Sequence, residues 1–354
     1  MYKRIIRPLF FLLSPEKIHH LTVFAMKTLR YIPFGQAIVR KIFTIKHPLL
    51  EREVFGMKFP NPVGLAAGFD KNCEVYKQLE NFGFGFIEVG TITPKGQLGN
   101  PKPRLFRLKK DGAIINRMGF NNKGVTNAVA NLRKRHTNNQ QTPIIGGNLG
   151  KNTLTPNDKA PDDYLNLFRR LYDYVDYFVI NVSCPNIANL TKLQNSDSVG
   201  QILEGIVEFR KGQDNYRPIL IKISPDLSFE QADVMIEQMK KWNLDGIVAT
   251  NTSTSREGLI TDKELVESIG NGGLSGAPLT KRSLEMVRYV SGKCKGNYPI
   301  IGVGGIMSAD DAVAMLDAGA SLIQIYSGFI YNGPGFVKEI CNKIIANEIA
   351  KKAQ

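Results

Sequence analysis

The densest group of reactive and hydrogen-bonding residues in this 354-residue chain runs from Asn181 through Ser183 and Cys184 to Asn186. A free thiol titrates near ~8.5, so a modest downward shift makes it a usable base at neutral pH. Cys184 is therefore the candidate catalytic residue, although most free cysteines are only small buried hydrophobes. The amides beside it carry both a donor and an acceptor, which suits a ligand with an amide or urea edge. Similar groups recur at Gly68 and Lys71, Gly90-Thr91, Asn148, Lys222 and Thr250-Asn251-Thr252. The two lysines add positive charge for an anionic ligand and would favour a thiolate. Gly302-Val303-Gly304-Gly305 and Tyr326-Ser327-Gly328 expose backbone N–H groups of the kind that hold a phosphate, though tight turns also need glycine. Few carboxylates accompany these positions.

Other chemistries fit poorly. No Asp/Glu pair of glycosidase type falls among these residues. The histidines are His19, His20, His47 and His136, which leaves the glycine-rich core without an imidazole base. Cys73, Cys184, Cys294 and Cys341 are far apart and form no CxxC pair, so no metal, iron–sulfur or disulfide framework is expected. A reducing cytosolic compartment follows from that usage.

The elements that must position these groups are short apolar runs at 61–68, 84–92, 144–150, 175–184, 218–224, 245–252, 299–306 and 322–327. Near-continuous hydrophobicity marks strands buried on both faces of a parallel sheet. Stretches such as 229–242 and 308–318 read as intervening helices. Eight such strands over this length predict a (β/α)8 barrel, with a doubly wound sheet as the alternative; the early GxGxxG fingerprint of the latter is missing. The candidate residues then fall at strand carboxyl ends, where a barrel builds its site, and the glycine loops follow strands 7 and 8. A hairpin is expected at 104–116, around Lys110-Asp111-Gly112. The segment 271–276 is too glycine-rich for a helix.

Residues 1–50 form a helical extension, and 51–354 the barrel. Ser14-Pro15 is a helix start, followed by Ile18, Leu21, Phe24, Ala25 and Leu29. Ile38, Ile42 and Ile45 predict a second short helix. Packing on the main domain is the simplest use of the apolar stripe; a mouth for an apolar molecule is the other. Nine Lys or Arg against the single acid Glu16 place eight of the fourteen net positive charges here. Basic plus apolar on one segment suits an anionic membrane surface and argues against nucleic acid as partner. The run from Pro8 to Leu13 is too short to span a bilayer or to act as a signal peptide.

The motifs NPVGLAAGFDKN (61–72), EVGTITPKGQLGNPKPRLFRL (88–108), INRMGFNN (115–122), GGNLGKN (146–152), INVSCPN (180–186), IKISPDLS (221–228), ATNTS (249–253), GGLSG (272–276), IIGVGGI (300–306) and QIYSGFIYNGPG (324–335) resemble those of the dihydroorotate dehydrogenases. The similarity runs from residue 14 to 334. The N-terminal helices and the NRMGF element resemble the membrane-associated, quinone-using class 2. That resemblance implies oxidation of dihydroorotate to orotate in pyrimidine biosynthesis, by a monomer peripheral to the cytoplasmic face of the cell membrane. It implies FMN held by Ala67, Gly68, Lys71, Thr91, Asn148, Asn181, Lys222 and Thr250, with Gly276, Gly305, Tyr326 and Ser327 at its phosphate end. It implies orotate held by Lys71, Asn116, Met118, Gly119, Phe120, Asn181, Asn186, Asn251 and Thr252, with Cys184 taking a proton from C5 as hydride leaves C6. Class 2 carries serine at the position of Cys184, and cysteine there resembles the soluble class 1 enzymes that use fumarate or NAD. A non-redox phosphate-binding barrel is the alternative of a different kind, whereas a 2-hydroxyacid oxidase would need a histidine base.

Overall fold

A computed structural model describes residues 1–29, 31–135, 143–183 and 196–353. The eight apolar runs form eight parallel strands: β1 (Val63–Leu65), β2 (Phe86–Ile92), β3 (Ile144–Leu149), β4 (Tyr177–Asn181), β5 (Ile219–Ile223), β6 (Gly246–Ala249), β7 (Ile300–Val303) and β8 (Leu322–Ile325). Each pairs with its neighbour, and β8 closes the barrel on β1 with Ile323 opposite Val63. Side chains on one strand face pack under the outer helices, where Ile87, Ile145, Phe178, Ile221 and Ile323 are fully buried. The other face fills the barrel interior with Phe86, Tyr177, Val179, Leu220 and Leu322, and Phe59 joins them from an N-terminal hairpin. Some of the glycine excess serves this packing rather than a ligand. A Cβ on Gly64 would come within 2.3 Å of the Phe86 ring, and one on Gly146 within 2.2 Å of Tyr177.

Helices return between strands, and two begin with capping boxes legible in sequence. Ser228 opens Phe229–Lys241 with Gln231, and Ser308 opens Ala309–Asp317 with Asp311. The expected hairpin forms from Leu105–Leu108 and Ala113–Asn116. The glycine-rich segment adds a third antiparallel strand, Gly273–Gly276, with Gly273 opposite Asn116. Leu105, Ile114, Asn116 and Ser275 bring this small sheet over the carboxyl ends of the barrel strands.

The extension contains helices α1 (Pro15–Leu29) and α2 (Gly35–Phe43), and Ile45 lies just beyond α2. Ser14 accepts from the Lys17 N–H at 3.4 Å, as its place before Pro15 predicts. Only part of the expected apolar stripe packs inward: Ile18 and Leu29 are half-buried and Ile45 packs on the core, whereas Leu21, Phe24 and Ala25 are exposed, as are Ile38 and Ile42 on α2. α1 docks instead through Met26, Val23 and the buried Glu16. Glu16 pairs with Arg104 beside the hairpin on this docked face, and Leu21 and Phe24 lie on the opposite, outward side. No helix among the described residues is long and apolar enough to cross a membrane.

Candidate active site

One cavity of about 1150 Å³, counting its part open to solvent, lies at the strand carboxyl ends. The extension of β1 supplies Ala67, Gly68 and Lys71; β2 supplies Thr91, β4 Asn181 and β5 Lys222; and Thr250, Asn251 and Thr252 follow β6. Gly305 follows β7, Tyr326 and Ser327 follow β8, and the covering sheet and its flanks add Asn116, Met118, Gly119, Phe120 and Gly276. Asn148 does not line the cavity; it stands behind the wall, fully buried, bonded to residues that do. Cys184 and Asn186 lie outside the described residues. The neighbouring Ser183 is buried and accepts from Asn251 Nδ2 at 3.0 Å.

The wall near Lys71 is electrostatically set. Asp70 accepts from the backbone N–H groups of Glu74 at 2.7 Å and Val75 at 2.9 Å, which pins the turn carrying Lys71. Burial pushes the Asp70 carboxyl up to about 6, against those N–H groups. Burial, then the nearby Arg104 guanidinium, lower the Lys71 ammonium to about 8, with Glu16 and Asp70 opposing. His19 reaches this region from α1 and meets the Phe69 ring edge-on at 5.1 Å. Burial, then Lys71, push its imidazole down to about 3, so it is neutral at physiological pH.

A continuous amide network forms the floor and one side. Asn251 Nδ2 donates to Asn181 Oδ1 at 3.2 Å, and Asn181 Nδ2 donates to Asn148 Oδ1 at 3.2 Å. The Thr91 hydroxyl donates to that same Asn148 oxygen at 2.6 Å. The network ends on Glu88 of β2, whose carboxylate accepts from Asn148 Nδ2 at 2.7 Å and Gln324 Nε2 at 2.6 Å. Lys222 Nζ stands 3.6 Å from Glu88 Oε1. The expectation of few carboxylates holds among the described lining residues, none of which is Asp or Glu; Glu88 stands behind the floor, within β2. A charge interrupting the apolar run Phe86–Ile92, on the same strand face as Phe86, was the available signal. Gln324 in β8 and Ser275 in the covering sheet are further lining residues that sequence reasoning missed.

At the far end, Ser275 Oγ and Ser327 Oγ lie 2.9 Å apart. Ser327 and Gly328 open the helix Ser327–Asn332, where the first N–H groups have no partner within the helix. Gly305 has φ +73, and a Cβ there would sit 2.2 Å from the Thr280 backbone. Only glycine lets this loop close against the following helix and keep its backbone at the cavity. Thr252 Oγ1 is buried with no partner among the described residues, a polar group left for a ligand. The donor set therefore fits a polar ligand with hydrogen-bonding groups on the Asn181–Asn251 side and an anionic group toward Ser275 and Ser327.

A closed (β/α)8 barrel with an amide-lined cavity at its strand carboxyl ends has the build of an enzyme acting on a small polar ligand. Comparison with known proteins narrows that class. Residues 49–347 match the family described as Dihydroorotate dehydrogenase. A Christiangramia forsetii protein named Dihydroorotate dehydrogenase (quinone) is 50% identical over 345 residues, covering 98% of this chain and 99% of that one. An Acinetobacter baylyi protein of the same name is 43% identical, covering 96% and 98%. The solved DHODH of Eimeria tenella in complex with ferulenol superimposes with a TM-score of 0.85 at 34% identity, covering 95% of this chain and 92% of that one. The chain belongs to the dihydroorotate dehydrogenase family, in its class 2, which is flavin-dependent.

Proposed function

We propose that this protein oxidises (S)-dihydroorotate to orotate in pyrimidine biosynthesis, with FMN as its flavin and a quinone as electron acceptor. The observation that carries the substrate reading is the side of the cavity where the Lys71 ammonium, the amides of Asn116, Asn181 and Asn251, and the unpartnered Thr252 hydroxyl converge. An ammonium matches a carboxylate, and amides with a hydroxyl match the two faces of a cyclic urea.

FMN would lie along Ala67, Gly68, Thr91, Asn181, Lys222 and Thr250, with its phosphate toward Gly276, Gly305, Tyr326 and Ser327. When bound, the flavin supplies a two-electron acceptor. Lys71 and the amides orient dihydroorotate, the covering sheet excludes water, and Cys184 takes the proton from C5. Residues 1–50 are assigned to membrane association and quinone entry, in a monomer peripheral to the cytoplasmic face of the membrane. Supporting this are the outward Leu21, Phe24, Ile38 and Ile42, and the positive charge of the segment.

The test is dihydroorotate oxidation by the purified yellow protein with a short-chain ubiquinone, fumarate or NAD as acceptor. Quinone-dependent turnover is expected. Preference for fumarate or NAD would transfer the chain's acceptor chemistry to the class 1 pattern that Cys184 shares. Inactivity with all three would sink the substrate assignment.

A further inference from the structure

The proposed mechanism makes no use of Glu88, yet this acid is wholly buried within the barrel and engages Asn148, Gln324 and Lys222. Its side chain is wholly inaccessible, on β2 below Gly90-Thr91. Oε1 accepts from Asn148 and stands 3.6 Å from Lys222 Nζ, and Oε2 accepts from Gln324. Lys222 itself is buried at the cavity floor, and among the described residues Glu88 is its one ion-pair partner. A buried acid is costly and persists only when paired and hydrogen-bonded. Replacing such a pair by apolar residues is often neutral for stability, so folding alone does not account for it.

We infer that Glu88 is a positioning residue. It fixes the Lys222 ammonium beneath the ligand ring and, through Asn148, locks the amides that flank that ring. The inference deepens the functional reading above and rests on a flavin being the ring concerned. Asn148 has one oxygen for Thr91 and Asn181 and one NH2 for Glu88, so an acceptor-only carboxylate holds it in a single orientation. Removing the negative charge leaves a buried ammonium without a counter-ion. Such an ammonium swings away or gives up its proton, and either response takes a fixed positive charge from the floor. Charge fixed there favours the anionic reduced ring, so its loss disfavours reduction.

The test is the midpoint potential of the bound flavin, with its affinity for sulfite, measured on full-length holoenzyme without dihydroorotate. Glu88→Gln is expected to lower the potential and weaken sulfite binding about as much as Lys222→Met, and Glu88→Asp to recover most of both. The double variant Glu88→Gln/Lys222→Met is expected to match Lys222→Met alone, the signature of one residue acting through another. A potential that rises or stays unchanged in Glu88→Gln overturns the inference, because Lys222 then keeps its charge and place unaided. So does a double variant that departs from Lys222→Met. A parent protein that holds flavin and leaves dihydroorotate untouched overturns the substrate reading alone.

Discussion

Glu16 Oε1 on α1 lies 2.7 Å from Nη2 of Arg104, at the start of the hairpin that covers the cavity, and both side chains are buried. Arg104 spends its other nitrogen on the Leu98 carbonyl at 2.6 Å and the Asn100 carbonyl at 2.9 Å. One guanidinium thus ties the extension to the loop that pairs with Met118 at the cavity wall. Burial opposes ionisation of Glu16, but the Arg104 hydrogen bond and the Arg104 and Lys102 charges outweigh it and hold the carboxyl below its usual range.

Glu16→Gln should therefore loosen α1 without dismantling the barrel. A charged hydrogen bond of this kind contributes about 1.5–3 kcal/mol. Because the folded-state pKa is depressed, this contribution is present above the unfolded pKa and is lost as pH falls through the folded one. Limited proteolysis should cut the extension faster in the variant, and the KM for quinone should rise while flavin reduction by dihydroorotate keeps its rate. Unchanged protease resistance in the variant would remove the pair from any docking role.

Lys71 gives the site a pH dependence of opposite sign. Its pKa of about 8 means the ammonium is present below that pH and is progressively lost above it. Orotate binding to the oxidised protein should be tightest below pH 8 and weaken above it, by up to about tenfold per unit. Folding follows the other sense: the unfolded lysine holds its proton to a higher pH, so the cost of burying Lys71 eases as pH rises from about 8 toward 10.5. Titrating orotate into the protein from pH 6.5 to pH 9.5, with the flavin spectrum as readout, separates binding from turnover. Lys71→Gln should flatten the profile; a profile that keeps its slope in that variant would assign the dependence to another group.

How much of this was legible follows from what each residue answers to. The eight strands announce themselves because both faces are buried, so each reads as an unbroken apolar run. The lining groups announce themselves because they interrupt or end those runs: Thr91, Asn181, Lys222 and Asn251 all do. Glu88 was hidden because a single acid within an apolar strand points to an interior partner only once the strand face is known. Its neighbour Phe86 fills the barrel interior on that same face. His19 and Arg104 were hidden for a different reason, since their roles depend on where α1 docks, and the direction of an extension is a tertiary fact. The apolar stripe on α1 was misjudged for the same cause. Hydrophobic spacing shows that a face exists but not what it faces.

The base remains the point on which the chemistry turns. Lys222 and Lys71 bring positive charge to the cavity that Asn181 lines at the end of β4, three residues before Cys184 in sequence, and positive charge favours a thiolate. Cys184→Ala should reduce the rate of flavin reduction at least about 100-fold, the lower range for loss of a general base. Orotate affinity and flavin content should stay close to those of the parent, since the thiol is assigned to the proton and not to binding. Cys184→Ser should retain part of the rate but shift its rise to higher pH, because a hydroxyl holds its proton more tightly than a thiol. The measurement is anaerobic stopped-flow reduction across pH, before any acceptor is added, so that quinone access plays no part. Parent-like reduction by Cys184→Ala would transfer the proton to another group.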